Sequence, residues 1–361
     1  MSVNARGRRS RFLIVLGTAT ALACSSPVDS IDPIDPVAFC GGVCWPQESW
    51  ISAPSPAAMG WSESRLDDAR AYSEETGSDA VMVIDRGLVV VDWGATARRH
   101  YVQSARKSFL SALYGMYPET RGDGLSLTMA NLGIDDSPEP LSAMEKSATV
   151  EQLLEARSGV YHEAAAESQS MKDARPARGS HPPGSYWYYN NWDFNVAGDV
   201  FMQLTGVDLF QALYDRLAVP LGMQDFRVSD GFYLYDAVSQ HPAYPFAMTA
   251  RDMARLGLLM ARNGFWKGVE VVPASWIDRS TRAYSDAGGS WNYGYMWWVA
   301  KPQDFDGHRM FAALGGSGHA IFIFPDDDLV VVHRVDADTY QHGWDEVYLL
   351  LRRILEARGS G

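Results

Sequence analysis

Segments with strand character lie near both ends of the chain, and the long region between them has helical character. Apolar, β-branched runs at 80–84 and 88–91 flank an Asp-Arg-Gly turn, which predicts an antiparallel hairpin. Strand character returns only after residue 290, in runs at 294–299, 320–324 and 329–333. A sheet built from both ends of a chain predicts an α+β fold. We expect an antiparallel sheet that is flanked by helices and interrupted by an all-helical domain.

The folded domain is expected to follow a segment that is rich in Pro, Ser and Asp. This segment covers residues 24–58, and its composition predicts a tether rather than part of a core. The domain then spans residues 59–358. Its α/β part is predicted at 59–105 and 245–358, and its helical part at 106–244.

The first 23 residues have the pattern of an export signal. A cluster of arginines precedes an apolar run at 12–23, which is shorter than the roughly 20 residues that span a bilayer. The run ends in Leu-Ala-Cys-Ser around Cys24, which resembles the lipidation site of bacterial lipoproteins. We therefore predict an exported lipoprotein at the outer membrane, in the periplasm or at the cell surface, held to the membrane only by lipid on Cys24. The alternative is a plain signal peptide that is cleaved near Ala23.

Two cysteines remain after the signal, and they are close together. Cys40 and Cys44 are separated by Gly-Gly-Val, and an exported protein usually oxidises such a pair. We predict a small disulfide loop between them. The alternative is a metal or redox pair, but two thiolates alone make a poor zinc site and no Cys/His cluster lies nearby.

Charge and composition exclude several classes of function. The formal net charge is −13, whereas a nucleic-acid-binding surface needs an excess of basic residues. Metal-binding motifs such as His-Glu-x-x-His do not occur. We therefore expect a protein without a metal or other cofactor, whose partner is a small molecule. Its oligomeric state is left open.

A Ser-Ala-Arg-Lys segment opens the predicted helix that follows the hairpin. The spacing of three puts Ser104 and Lys107 on one face of this helix, within reach of each other. A serine needs an adjacent base to act as a nucleophile, and a buried lysine can be that base because desolvation lowers its pKa. Only one of the five lysines in the chain has a serine three residues before it. The alternative is a capped helix start with a solvated lysine.

A second segment combines Pro183-Gly184, an aromatic residue and Tyr189-x-Asn191. With this arrangement the chain resembles the serine β-lactamase and penicillin-recognising superfamily over residues 60–355, especially its class C branch with the D-Ala-D-Ala carboxypeptidases and family VIII esterases. The resemblance implies that Tyr189 is a proton shuttle paired with Lys107. It also implies that Asn191 holds the carbonyl or amide side of the substrate. The alternative is an aromatic loop that packs on the core.

The third segment departs from the family pattern. Where β-lactamases carry Lys-Thr-Gly or His-Thr-Gly on the strand that lines the site, this chain has Ala-Leu-Gly at 313–315. We expect the N–H groups of Gly316 and Ser104 to form an oxyanion hole, and Ser317 and His319 to contact substrate. The alternative is a flexible hairpin turn. The chain resembles esterases and 6-aminohexanoate-dimer hydrolases of the superfamily in lacking that lysine.

These segments together predict a serine hydrolase that acts through an acyl-enzyme on a small ester or amide. Four tryptophans are candidates for an aromatic acyl pocket: Trp187, Trp291, Trp297 and Trp298. Two alternatives are a β-lactamase or D-Ala-D-Ala carboxypeptidase, with Arg157 or Arg282 as the carboxylate partner, and a catalytically weak penicillin-binding-like module. A Ser-His-Asp triad that uses one of the eight histidines is a further alternative mechanism.

Overall fold

An eight-stranded antiparallel sheet is the largest element of the computed structural model, which describes residues 34–340 and 343–359. The predicted signal at 1–23 and the lipidation site Cys24 lie outside the described residues. All described strands, in chain order, are β1 (Ser78–Asp85), β2 (Leu88–Gly94), β3 (His100–Tyr101), β4 (Leu234–Asp236), β5 (Ser239–Ala243), β6 (Ala247–Met248), β7 (Phe265–Trp266), β8 (Val269–Glu270), β9 (Ser285–Asp286), β10 (Trp291–Tyr293), β11 (Trp298–Ala300), β12 (Phe311–Gly315), β13 (His319–Phe324) and β14 (Leu329–Val335).

The order of strands across the large sheet is β2-β1-β14-β13-β12-β11-β10-β9. The N-terminal hairpin therefore pairs with the last strand of the chain, as the two-ended distribution of strands predicts. The turn of this hairpin has two residues with positive φ, Arg86 at 51° and Gly87 at 84°, which suits the right-handed twist of the flanking strands. β13 and β14 are buried along their whole length, because helices cover both faces of the sheet.

The described α-helices are α1 (Pro36–Cys40), α2 (Glu63–Glu75), α3 (Arg106–Met116), α4 (Pro118–Arg121), α5 (Met129–Leu132), α6 (Val150–Leu154), α7 (Gln169–Ala174), α8 (Asn191–Thr205), α9 (Leu209–Leu213), α10 (Val219–Leu221), α11 (Ala250–Ala261), α12 (Ala274–Ser280) and α13 (Trp344–Ala357). α2 and α13 pack on one face of the sheet, and α3 and α11 on the other. Among the described helices, none has the length and apolarity that crossing a membrane requires.

Alternation along β1 shows how the sheet separates two cores. Val81 and Val83 belong to the apolar cluster beneath α2 and α13, whereas Met82 and Ile84 belong to the cluster with α3 and α11. This alternation follows from the two-residue period of a strand. The mixed helical and antiparallel architecture confirms the predicted α+β fold.

The region between β3 and β6 is mainly helical, but it is not all-helical. β4 and β5 form a small antiparallel hairpin within it. α8 packs against both α6 and β5, so this hairpin is attached to the helical part of the domain. The hairpin matters for the site because residues on and beside it line the main cavity.

The segment 34–58, where the sequence predicts a tether, lies against the domain. The backbone at Ile51 and Ala53 exchanges hydrogen bonds of 2.9 Å with Val89 of β2. The Trp50 indole donates to the Arg251 carbonyl at 2.9 Å, which fixes the segment to α11. The difference arises because aromatic and aliphatic residues between the prolines provide apolar surface that the composition of the segment conceals.

A disulfide joins Cys40 and Cys44 in the segment just described. Cys44 is buried, and its carbonyl oxygen would lie 2.2 Å from a Cβ placed on Gly87. Only glycine fits at this turn of the hairpin, because any side chain there would collide with the backbone of the disulfide loop. The loop therefore packs directly on the β1–β2 turn.

Candidate active site

Ser104 lies in a tight turn immediately before α3. The turn is a single 3₁₀ segment, Gln103–Ala105, and Gln103 adopts a left-handed φ of 52°. β12 approaches this turn closely, since a Cβ on Gly315 would lie 2.4 Å from the Val102 carbonyl oxygen. A glycine at the end of β12 therefore allows the strand to reach the backbone around Ser104.

Ser104, Lys107 and Tyr189 meet in one cluster. The Lys107 Nζ atom lies 2.7 Å from Ser104 Oγ and 2.8 Å from Tyr189 Oη. The first distance follows from the helical spacing of three on α3. The second exists because Tyr189 ends the loop that leads into α8, which packs beside α3. The Lys107 nitrogen is also 4.7 Å from the centre of the Phe194 ring, so aromatic carbon surrounds it.

Burial sets the protonation states of this cluster. Lys107 is only 1% exposed, and burial lowers the pKa of its ammonium well below the ordinary value, with a smaller contribution from the nearby charge of Arg106. Burial raises the pKa of the Tyr189 phenol to about 12, although a hydrogen bond with Ser104 and the charge of Arg106 oppose the rise. A neutral amine and a protonated phenol therefore flank the Ser104 hydroxyl. Such an amine can accept the hydroxyl proton.

A cavity of about 630 Å³ opens above Ser104 and Tyr189. One part of its wall comes from the β4–β5 region and the other from the sheet edge and α13. The apolar residues of the lining are Tyr101, Met171, Phe232, Leu234, Ala243, Pro245, Trp291, Trp298, Leu314, Trp344 and Tyr348. Of the four tryptophans predicted to form an acyl pocket, Trp291 and Trp298 line this cavity. Trp187 packs against Trp298, and Trp297 is fully buried against Phe311.

The end of β12 forms the side of the cavity opposite Tyr189. Gly315 and Gly316 both line the cavity, and no atom lies within 4 Å of a Cβ placed on Gly316. Backbone N–H groups at such an open position can donate to a substrate oxygen. Leu314, at the position where β-lactamases have a polar residue, presents an aliphatic side chain to the cavity. This side of the site thus contains backbone donors and no cationic side chain.

The family model for Beta-lactamase matches residues 65–339, which is well over half of the chain. The chain belongs to the Beta-lactamase family. The 6-aminohexanoate-dimer hydrolase of Paenarthrobacter ureafaciens is 24% identical over 337 residues, which cover 81% of this chain and 83% of the relative. The resemblance inferred from the sequence motifs is therefore confirmed.

Solved structures of the Beta-lactamase fold agree with the architecture. A proposed 6-aminohexanoate-dimer hydrolase of Bacillus anthracis has a TM-score of 0.61 and 20% identity, with 80% of each chain covered. A penicillin-binding protein homologue of Pyrococcus abyssi has a TM-score of 0.59 and 17% identity, with 81% of this chain and 77% of that chain covered. Identities this low establish the fold alone.

Two residues predicted to contact substrate at the third family motif do not line the cavity. His319 is 1% exposed, and the Arg334 guanidinium donates to its Nδ1 atom at 3.1 Å. Burial and the charge of Arg334 lower the pKa of His319 to about 2, so the ring is neutral. Ser317 is exposed and has a φ of 62°. This turn directs the chain away from the cavity before His319 begins β13.

Asn191, predicted to hold the substrate, lies behind the cavity wall instead. Its side chain is buried, and its amide nitrogen donates to the Ala166 carbonyl at 2.5 Å. Ala166 lines the cavity and has a φ of 61°. Asn191 thus holds the 165–168 loop in place, because α8 begins at this residue and directs the amide under the loop rather than into the cavity.

The described histidines form no triad with Ser104. His100 pairs with Asp79 at 2.6 Å, and His241 pairs with Asp199 at the same distance. His181 stacks on Tyr186 with 4.1 Å between ring centres. None of the described histidines lines the cavity. The structure therefore gives no support to a histidine base.

Two charged residues in the lining of the cavity escaped the sequence reasoning. Arg106 lies inside the Ser-Ala-Arg-Lys segment, so its place beside Lys107 could have drawn attention to it. Glu167 lies on a loop far along the chain, and no motif distinguishes it. Among the described residues, no group of three or more His, Cys, Asp and Glu side chains is arranged to hold a metal ion.

Proposed function

We propose that this member of the Beta-lactamase family is a serine hydrolase that cleaves a small ester or amide through an acyl-enzyme. The observation that carries this proposal is the cluster of Ser104, Lys107 and Tyr189 at the floor of an open, mainly apolar cavity. The amine is buried and neutral, and it lies within hydrogen-bond distance of both hydroxyl groups. This is the arrangement that activates a serine nucleophile.

In the acylation step, Lys107 accepts the Ser104 proton while Oγ attacks the carbonyl carbon of the substrate. The carbonyl electrons move to oxygen, and the N–H groups of Ser104 and Gly316 donate to this oxyanion. One such donor contributes about 3 kcal/mol to stabilising the transition state. The bond to the leaving group then breaks. Tyr189 gives its proton to the leaving group and regains one from the Lys107 ammonium.

In the deacylation step, water attacks the acyl-enzyme carbonyl, and the Tyr189–Lys107 pair accepts its proton. The ester bond to Oγ breaks, and the proton returns to Ser104. The same three side chains thus act in both halves of the reaction, and they end in their starting protonation states. No metal or organic cofactor takes part in these steps.

Cavity chemistry supports an ester or amide rather than a β-lactam. The lining is dominated by aromatic and aliphatic side chains, which suit an apolar acyl chain or leaving group. Leu314 lies where a β-lactamase holds the substrate carboxylate with a polar residue. The relative from Paenarthrobacter ureafaciens is named for the hydrolysis of a linear amide dimer, which favours the amide half of the proposal.

A fluorophosphonate probe tests the nucleophile. The probe should label the purified parent protein, and Ser104→Ala should abolish the labelling because the reactive Oγ is removed. Ser170→Ala is the matched control, because Ser170 also lines the cavity but lies far from Lys107 in sequence and makes no hydrogen bond with it. Labelling that persists in Ser104→Ala, or that disappears in Ser170→Ala alone, would overturn the proposal.

A further inference from the structure

Arg106 and Glu167 are the two charged side chains in the lining of the cavity. The carboxylate of Glu167 is already paired, since it accepts a hydrogen bond from the Arg175 guanidinium. Both side chains of this pair are largely buried, so the negative charge of Glu167 is balanced within the protein. With Lys107 neutral, the charge that remains uncompensated at the cavity is that of Arg106.

The hydrogen bonds of the Arg106 guanidinium are incomplete. Arg106 is only 5% exposed, and its Nη1 atom donates to the Gln103 carbonyl at 3.3 Å. Its Nε and Nη2 atoms are buried and have no hydrogen-bond partner among the described residues. The guanidinium lies 5.1 Å from the centre of the Tyr244 ring, but no described carboxylate forms an ion pair with it. A buried cation with two unused donors is unfavourable unless an anion completes it.

The two unused donors are neighbours on one edge of the guanidinium. The Nε–H and Nη2–H bonds of an arginine are nearly parallel, and their spacing matches the two oxygens of a carboxylate. A single carboxylate bound on this edge would satisfy both donors at once. A neutral amide or ester oxygen would satisfy only one of them.

We propose that Arg106 binds a carboxylate of the substrate inside the cavity, so that the enzyme favours esters or amides that carry a negative charge. This inference rests on the proposed function and names the class of substrate for the same site. The family position on β12 is aliphatic, and the binding group is displaced to the first turn of α3. Arg157 and Arg282, the alternatives from the sequence, do not line the cavity.

The overall charge of the chain makes such a local cation necessary. With a formal net charge of −13, the protein repels an anionic substrate at low ionic strength. An uncompensated guanidinium within the cavity reverses the sign of the field at the place where the substrate binds. The same chain can thus be acidic overall and still select an anion at its site.

Paired esters measure this selectivity. The neutral ester is p-nitrophenyl butyrate. The charged esters are p-nitrophenyl hydrogen glutarate, with the carboxylate on the acyl side, and 4-carboxyphenyl butyrate, with the carboxylate on the leaving group. The readout is the ratio of kcat/KM for each charged ester to that for the neutral ester. The ratio is used because Arg106 lies beside Lys107, so its replacement also changes the reactivity toward all three esters.

Arg106→Met should lower this ratio at least about tenfold for one of the charged esters, because a hydrogen-bonded charge pair is lost. The ester affected shows whether the carboxylate lies on the acyl or the leaving-group side. Arg106→Lys should also lower the ratio, because lysine keeps the charge but cannot form the two-pronged contact. Arg282→Gln, at an exposed arginine outside the cavity, should leave the ratio unchanged.

A binding measurement without turnover separates this inference from the proposed function. Calorimetry should detect binding of monomethyl glutarate to Ser104→Ala and at least tenfold weaker binding to Ser104→Ala/Arg106→Met. Equal ratios in the parent and both Arg106 variants, or equal binding by the two Ser104→Ala proteins, would overturn the carboxylate site. If Arg106→Met does not fold, an unchanged ratio in Arg106→Lys overturns it. Loss of probe labelling and of all ester hydrolysis in the parent would instead reject the proposed function.

Discussion

Replacing Lys107 by methionine separates the chemical role of the amine from its effect on stability. Methionine has a similar length and no titratable group, so the packing around Phe194 should be retained. The change removes the base that accepts the Ser104 proton. Proton transfer by a positioned side chain contributes about 10²- to 10⁴-fold, and we expect kcat/KM to fall by this factor.

Lys107→Met also has a predictable effect on how stability varies with pH. Burial lowers the pKa of Lys107 in the folded protein, whereas in the unfolded chain the amine has its ordinary value of about 10.4. Between these two values the unfolded state binds a proton that the folded state does not, so the stability of the parent rises with pH. The gain is about 1.36 kcal/mol per pH unit within this window. Methionine contributes no such gain.

Thermal melts and ester hydrolysis at pH 8, 9 and 10 measure both effects. The melting temperature of Lys107→Met minus that of the parent should become less favourable to the variant as the pH rises. Lys172→Met is the control, because Lys172 is exposed on α7 and its replacement should leave kcat/KM unchanged. A temperature difference that stays constant over this range would refute the reasoning about burial. An active Lys107→Met protein would refute the role of the base.

The phenol and the third family motif give two more predictions. Tyr189→Phe should lower kcat about 10²-fold with little change in melting temperature, because it removes a proton donor but keeps the ring; a loss below threefold would contradict the shuttle. Nitrocefin should have a lower kcat/KM than p-nitrophenyl butyrate, because its ring fixes the carboxylate on the side of Leu314, where no cation lies. An equal or higher value for nitrocefin would favour the β-lactamase alternative.

Short-range sequence patterns predicted the parts of the site that depend on local geometry. Ser104 and Lys107 are brought together by one turn of helix, which a spacing of three already implies. The hairpin turn at Arg86-Gly87 is equally local. Tyr189 is 82 positions from Lys107, and only the family resemblance could place its hydroxyl beside the amine.

The directions of side chains after a turn could not be read from the sequence. Ser317 has a φ of 62° and Gly318 one of 97°, so the chain reverses between β12 and β13. Because neighbouring residues of a strand face opposite sides, the residue at which β13 begins decides whether His319 faces the cavity or the core. It faces the core, against Arg334. The contacts of Asn191 depend in the same way on the residue at which α8 begins.

Arg334 connects that core to the backbone before Ser104. Its guanidinium donates to the carbonyl of His100 at 2.8 Å and to that of Tyr101 at 3.3 Å, and it also reaches His319. The strand before the nucleophile is therefore fixed by a buried side chain on β14. His319 helps to hold this side chain in place, which explains a polar residue at a position without access to the cavity.

The unfavourable features of this chain are concentrated in the few residues around Ser104. Gln103 has a left-handed backbone, Arg106 has unused donors, and Lys107 is buried without a counter-ion. Each of these lowers the stability of the fold, and each gives the site a property that a relaxed turn lacks: an exposed hydroxyl, an anion-binding edge and a neutral amine. They can persist because β12 and Arg334 hold the turn from two sides. Substitutions that relax this turn should therefore raise stability and lower activity together.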